Sequence, residues 1–168
     1  VGTQADDTEA INQYQVAYNL SADSWSGFFG QNNNWYSGSN NTTYYLQDNW
    51  VAATYTNSYT TLLSSWKKIK QESEKNETPE IFALAQILKI SAWHKTLESF
   101  GPIPYTHAGE PALVIPFDSE QVAFNAMFAD LTAAIEALTV RAEQGATIVA
   151  DYDAVYSGDT RKWVKYAN

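Results

Sequence analysis

Trp35 and Tyr36, immediately preceded by Asn32, Asn33 and Asn34, are the residues whose types and spacing best suit chemistry in this chain. A sugar ring has weakly apolar C–H faces that stack on indole and phenol rings, and hydroxyls that pair with amide side chains. Both kinds of partner stand together here. They lie in Gln31–Tyr45, QNNNWYSGSNNTTYY, a stretch dense in Asn, Ser and Gly, whose short side chains compete for backbone hydrogen bonds and so favour turns. A loop of this length without regular structure is more often functional or mobile than neutral. Two readings stay open: a ligand platform formed by Trp35, Tyr36, Asn33 and Asn34, or an anchor in which Trp35 folds back onto neighbouring helices.

Other chemistry finds little support. His94 and His107 are the only histidines. They lie outside any His-x-x-x-His or carboxylate spacing that would hold a metal, and read as hydrogen-bonded or solvated side chains. No Gly-x-Ser-x-Gly elbow occurs, and Ser26 falls inside an expected helix. Glycoside hydrolysis needs two facing carboxylates, whereas Asp151 and Asp153 read as turn residues. Without cysteine the chain has no disulfide or thiolate. No catalytic residue, metal or cofactor is expected. The net charge of −9 argues against nucleic acid, and Lys67, Lys68 and Lys70 read as a solvated helix face. The longest apolar runs look too short for a spanning helix, so membrane attachment is expected only through a lipid anchor upstream of this sequence.

Helices must position these residues. Ile11, Tyr14, Tyr18, Ala22, Trp25 and Phe29 predict a helix from Thr8 to about Gly30, capped by Asp7 or Thr8. Trp50, Ala53, Tyr59, Leu62, Leu63, Trp66 and Ile69 mark a second over Leu46–Glu74, weakest in its Thr-rich middle, with Glu72–Glu77 as a connector. Thr78-Pro79-Glu80 opens a third, and Gly101-Pro102-Ile103-Pro104 stops it. Asp118 or Ser119 caps a fourth, on which Phe124, Met127, Phe128, Leu131, Ala134, Ile135 and Leu138 fall at helical spacing before Gly145. Asp159 caps a fifth, after whose start the sequence reads as truncated. Trp25, Trp50, Trp66, Trp93 and Trp163 read as core residues. The fold class is all-α, with long loops joining helical hairpins suggestive of a tetratricopeptide-like stack.

Three segments carry a resemblance: AWHKTLESFGPIPYTHAGE (Ala92–Glu110), PFDSEQVAFNAMFADLTAAIEAL (Pro116–Leu138) and DAVYSGDTRKWVKYAN (Asp153–Asn168). A helix ending in FG-x-IPY, a D-S-x-E cap and a Y-x-GD-x-x-KW-x-K-x-AN opening follow in that order. The chain resembles the N-terminal portion of the SusD/RagB family of Bacteroidetes, over residues 1–168. The resemblance implies tetratricopeptide-like helices in a surface-exposed outer-membrane lipoprotein. It also implies a non-catalytic protein that captures an oligosaccharide for a SusC-like TonB-dependent transporter. The alternative is a helical-repeat adaptor that binds protein and no sugar.

Overall fold

The structure, a computed structural model, describes residues 14–168. It divides into two compact units, Val1–Asn57 and Ser58–Asn168. The expected caps Asp7 and Thr8, with Ile11, lie outside the described residues. The fold is all-α, and the described residues contain extended pairings only at two isolated bridges, Ile103 with Asp118 and Thr147 with Asp159.

In the first unit, helix α1 (Asp48–Thr56) packs against a π-helical segment, Gln15–Asp23. Buried Thr54 donates its hydroxyl to the Ala17 carbonyl at 2.8 Å and ties the two together. The first helical stretch stops well before Gly30. Phe28 and Phe29 both turn their amides back to the Asp23 carbonyl, at 3.1 and 3.2 Å, around Gly27 at φ 81°. That left-handed turn suits glycine. Phe29, expected on the buried face, is therefore exposed.

The second expected helix is also interrupted. Its Thr-rich middle is π-helical over Asn57–Leu62, and α2 (Leu63–Asn76) follows. The expected connector Glu72–Glu77 is helical as far as Asn76, and Glu77 at φ 53° ends it. Ser73 contributes by donating its hydroxyl to the Thr78 carbonyl.

In the second unit α2 packs on α3 (Pro79–Phe100), α3 on α4 (Glu120–Glu143), and α4 on α5 (Thr160–Ala167). Only Glu77 and Thr78 link α2 to α3, which makes these helices neighbours as in a helical hairpin. Thr78 precedes Pro79 as expected, although its side chain makes no capping bond. Ala83, Leu84 and Ile87 of α3 meet Ala134 and Leu138 of α4, with Trp163 and Ala167 of α5 closing this core. Phe128, expected among the inward residues of α4, is exposed. Contrary to the reading of the apolar runs, α4 is long and apolar enough by composition to span a membrane. Its Ala-rich face is instead committed to α3 and α5, and Asp130 lies mid-helix.

Of the two candidate caps for α4, Ser119 is the one that acts, accepting the Val122 amide at 3.3 Å. Ser119→Ala should cost about 1 kcal/mol, the usual value of such a cap, measured by the shift in denaturant midpoint. Asp118 works elsewhere. Its carboxylate accepts the Tyr105 and Thr106 amides at 2.9 and 2.7 Å, and the Ile103 carbonyl accepts its own amide at 2.9 Å. The Gly-Pro-Ile-Pro stop is thereby pinned across to the start of α4, with Ile103 and Tyr105 buried.

The turn into α5 is equally determined. Asp159 caps α5 by accepting the Arg161 and Lys162 amides at 3.0 and 3.2 Å. Gly158 stands at φ 79°, where an added Cβ would lie 2.4 Å from the Ile148 carbonyl oxygen. No other residue fits there without moving backbone.

Candidate functional site

The loop singled out by sequence belongs to the first unit. Two short 3-10 turns, Trp35–Gly38 and Asn41–Thr43, give it a defined shape. Its pins are asparagines the sequence did not distinguish from their neighbours. Asn40, fully buried, donates to the Trp35 carbonyl at 2.7 Å and to Gln31 Oε1 at 2.9 Å. Buried Asn41 donates to the Leu20 carbonyl. Gln47 donates to the Ser39 carbonyl at 2.7 Å and closes the loop.

On this frame Trp35 is half-buried and stacks on Trp50, with centroids 5.1 Å apart and planes 11° from parallel. Tyr36 meets both indoles edge-on, at 5.1 and 5.4 Å, and is 58% exposed. Asn33 and Asn34 are exposed beside it. Asn34, Tyr36 and Ser37 all hold left-handed backbone, at φ 50°, 53° and 53°. Non-glycine residues there carry strain, and such strain gathers at ligand clamps and switches.

The remaining sequence candidates are separated. His94 makes a 2.9 Å contact with the Ile90 carbonyl through Nδ1, and exposed His107 pairs with Glu110 at 2.9 Å. The Glu110 hydrogen bond and charge raise the His107 pKa. Ser26 donates to the Asp23 carbonyl. Among the described residues no group of three His, Cys, Asp or Glu side chains could hold a metal ion. Asp151 is exposed, and Asp153 is consumed by its own turn.

The second unit contains a cleft that sequence reading missed. It has a volume of about 420 Å³, within the range of small-molecule sites. Trp66 and Lys70 of α2, Gln86 and Lys89 of α3, Tyr105, and Asp130 of α4 are among its lining residues. Lys89 is 3% exposed. Its Nζ lies 4.1 Å from the Trp66 ring centroid, 4.3 Å from that of Tyr105 and 5.1 Å from that of Trp93. Trp66, read as core, is thus a cleft wall. The signal available in sequence was weak: a single lysine inside the apolar run Ile87–Trp93, four positions before a tryptophan.

Burial pushes the Lys89 ammonium down to about 8, with Asp130 opposing and Lys70 reinforcing that shift. Between about 8 and 10.5 the unfolded chain keeps this proton while the folded chain has lost it, so stability contributed here rises with pH. Wild type should therefore gain stability relative to Lys89→Met across that window, measured by urea unfolding at both ends. Parallel curves would contradict the assignment. The neighbouring Tyr105 hydroxyl donates to Asp130 Oδ2 at 2.7 Å, and burial followed by this bond pushes the phenol pKa up.

The SusD-like family, described as SusD and RagB outer membrane lipoprotein, matches residues 2–168. A chitin-binding SusD homolog from Flavobacterium johnsoniae is similar at 34% identity and TM-score 0.82, over 92% of this chain and 32% of its own. A SusD homolog from Bacteroides uniformis is 35% identical with TM-score 0.65, over 72% of this chain and 25% of its own. One from Bacteroides ovatus is 26% identical with TM-score 0.77, over 93% and 31% respectively. No curated protein sequence matches. The chain spans between a quarter and a third of the length of these solved structures. With its three sequence segments, its helices and these matches in agreement, the chain belongs to the SusD-like family of outer-membrane lipoproteins.

Proposed function

We propose that this chain takes part in capturing a glycan at the outer-membrane surface, for uptake through a SusC-like TonB-dependent transporter, without catalysis. The observation that carries this reading is the Trp35–Tyr36 pair, braced on Trp50 and flanked by the exposed amides of Asn33 and Asn34. A stacked indole fixes the orientation of Tyr36, so a sugar face meets a ring with little side-chain entropy left to lose. The chitin-binding relative supports a glycan as the ligand class. The family description supports an outer-membrane, lipid-anchored setting.

The test is titration of the full chain with neutral chito-oligosaccharides, followed by tryptophan fluorescence. Tyr36→Ala should weaken binding by about tenfold, the value of one aromatic contact. Trp35→Ala should do at least as much, because Tyr36 then loses its brace. Unchanged affinity in both folded variants would refute the loop as the site.

A protein-only adaptor is the second reading, favoured by the exposed apolar stretch of Leu113, Val114 and Phe117. A folded chain that answers no sugar but is captured by the transporter would select it.

A further inference from the structure

Lys89 and Gln86 place two unpaired donors in the cleft of the second unit. Lys89 Nζ makes no hydrogen bond and no ion pair among the described residues, although the residue is only 3% exposed. Its neighbours are ring faces, which attract a cation but accept no well-directed hydrogen bond. Gln86, also buried, spends Oε1 on the Trp66 indole N–H at 2.6 Å and keeps its NH2 group free. The one carboxylate lining the cleft, Asp130, is engaged by the Tyr105 hydroxyl at 2.7 Å.

Charge points the same way. The chain as a whole carries −9, yet the cleft gathers Lys89 and Lys70 against Asp130 alone. One surplus positive charge suits a monoanion. A dianion would leave the cleft with a net negative charge. Ala126, Ala133 and Ala137 line the cleft with small side chains, which leave space for a body behind the charged group, and Trp66 lines it too, its ring carrying Lys89 Nζ at 4.1 Å and Lys70 Nζ at 5.6 Å. An ammonium whose protein neighbours are ring faces has no charged acceptor of its own, so a ligand that supplies one is favoured over a neutral ligand of the same shape.

We infer that this cleft binds a small carboxylate ligand, its anion received by Lys89 Nζ and the Gln86 amide and its body lying against Trp66. The site shares no residue with the loop at Trp35 and does not rest on that reading: neutral oligosaccharides test the loop, whereas acids test the cleft.

The experiment titrates the 168-residue chain with glucuronate, glucose and acetate, read by tryptophan fluorescence and by calorimetry. Glucuronate should bind saturably, at least about tenfold more tightly than glucose, the usual worth of a hydrogen bond to a charged group. Added salt should weaken it. Acetate binding as tightly as glucuronate would retain the carboxylate and show that the sugar ring adds nothing. Lys89→Met should abolish the preference for glucuronate over glucose. Lys70→Gln, an exposed change, should reduce the preference by a few-fold, and it keeps the test available if Lys89→Met does not fold. The proposal is overturned if glucose binds as well as glucuronate, if neither carboxylate binds, or if both folded variants retain the wild-type preference.

Discussion

Asp153→Ala should lower the stability of the second unit by about 3–5 kcal/mol, because it leaves four donors without their acceptor at once, two of them buried. The Asp153 carboxylate accepts four N–H groups: Val155 at 2.9 Å, Tyr156 at 3.1 Å, Gly158 at 2.7 Å and the Trp163 indole at 2.6 Å. Trp163 is 2% exposed and belongs to the core, so its N–H has no water to turn to. Burial alone would raise the Asp153 pKa. The bonds from Trp163, Gly158, Tyr156 and Val155 outweigh it and hold the carboxyl below its ordinary range. The folded chain therefore binds this proton less readily than the unfolded chain. Its contribution is complete above the unfolded value of about 4 and is lost as pH falls through the lower folded value. Asp153→Asn should flatten that acid limb of the stability curve, read by denaturant unfolding between neutral and acid pH. An unchanged acid limb would contradict the argument.

This turn also explains why the sequence was so readable near its end. In Tyr156-Ser-Gly-Asp-Thr-Arg-Lys-Trp163 each recognisable residue has a local task. Tyr156 packs edge-on against Trp163 at 5.0 Å, Gly158 fits under a carbonyl, and Asp159 caps the helix. Local tasks leave local patterns. The same holds for Pro79, Gly101 and Ser119, which bound α3 and α4 where expected. Periodicity failed where backbone hydrogen bonding departs from the 3.6-residue repeat. The π-helical turns at Gln15–Asp23 and Asn57–Leu62 shift the face of every later residue, and a repeat-based reading runs through them unawares. The candidate sites divide along the same line. Trp35, Tyr36, Asn33 and Asn34 stand together in sequence, so composition found them, although only the fold shows Trp50 beneath Trp35. The cleft draws Trp66, Lys89, Tyr105 and Asp130 from three helices and a connecting segment, and no short pattern links them.

Trp93→Ala should cost about 3–5 kcal/mol, the range for emptying a large aromatic position in a packed core. Trp93 is fully buried, and its ring lies 4.5 Å from that of Tyr59 and 5.6 Å from that of Tyr105. Its loss leaves a cavity beside three groups held from elsewhere: Tyr59, whose hydroxyl donates to the Pro104 carbonyl at 2.8 Å, Tyr105 on Asp130, and the Lys89 ammonium. None can swing in to fill it without breaking its own bond or ring contact. The conservative replacement separates packing from polarity. The Trp93 indole N–H is buried without a partner, whereas that of Trp163 donates to Asp153. Trp93→Phe removes an unsatisfied donor along with some volume, and the two effects oppose each other. Trp163→Phe removes volume and a charge-assisted bond, and the effects add. The loss for Trp93→Phe should therefore be about 1 kcal/mol and that for Trp163→Phe about 3 kcal/mol, measured by guanidinium unfolding of both variants. Equal losses would mean that the Trp93 N–H has an acceptor in solution, and the asymmetry between the two tryptophans would have to be abandoned.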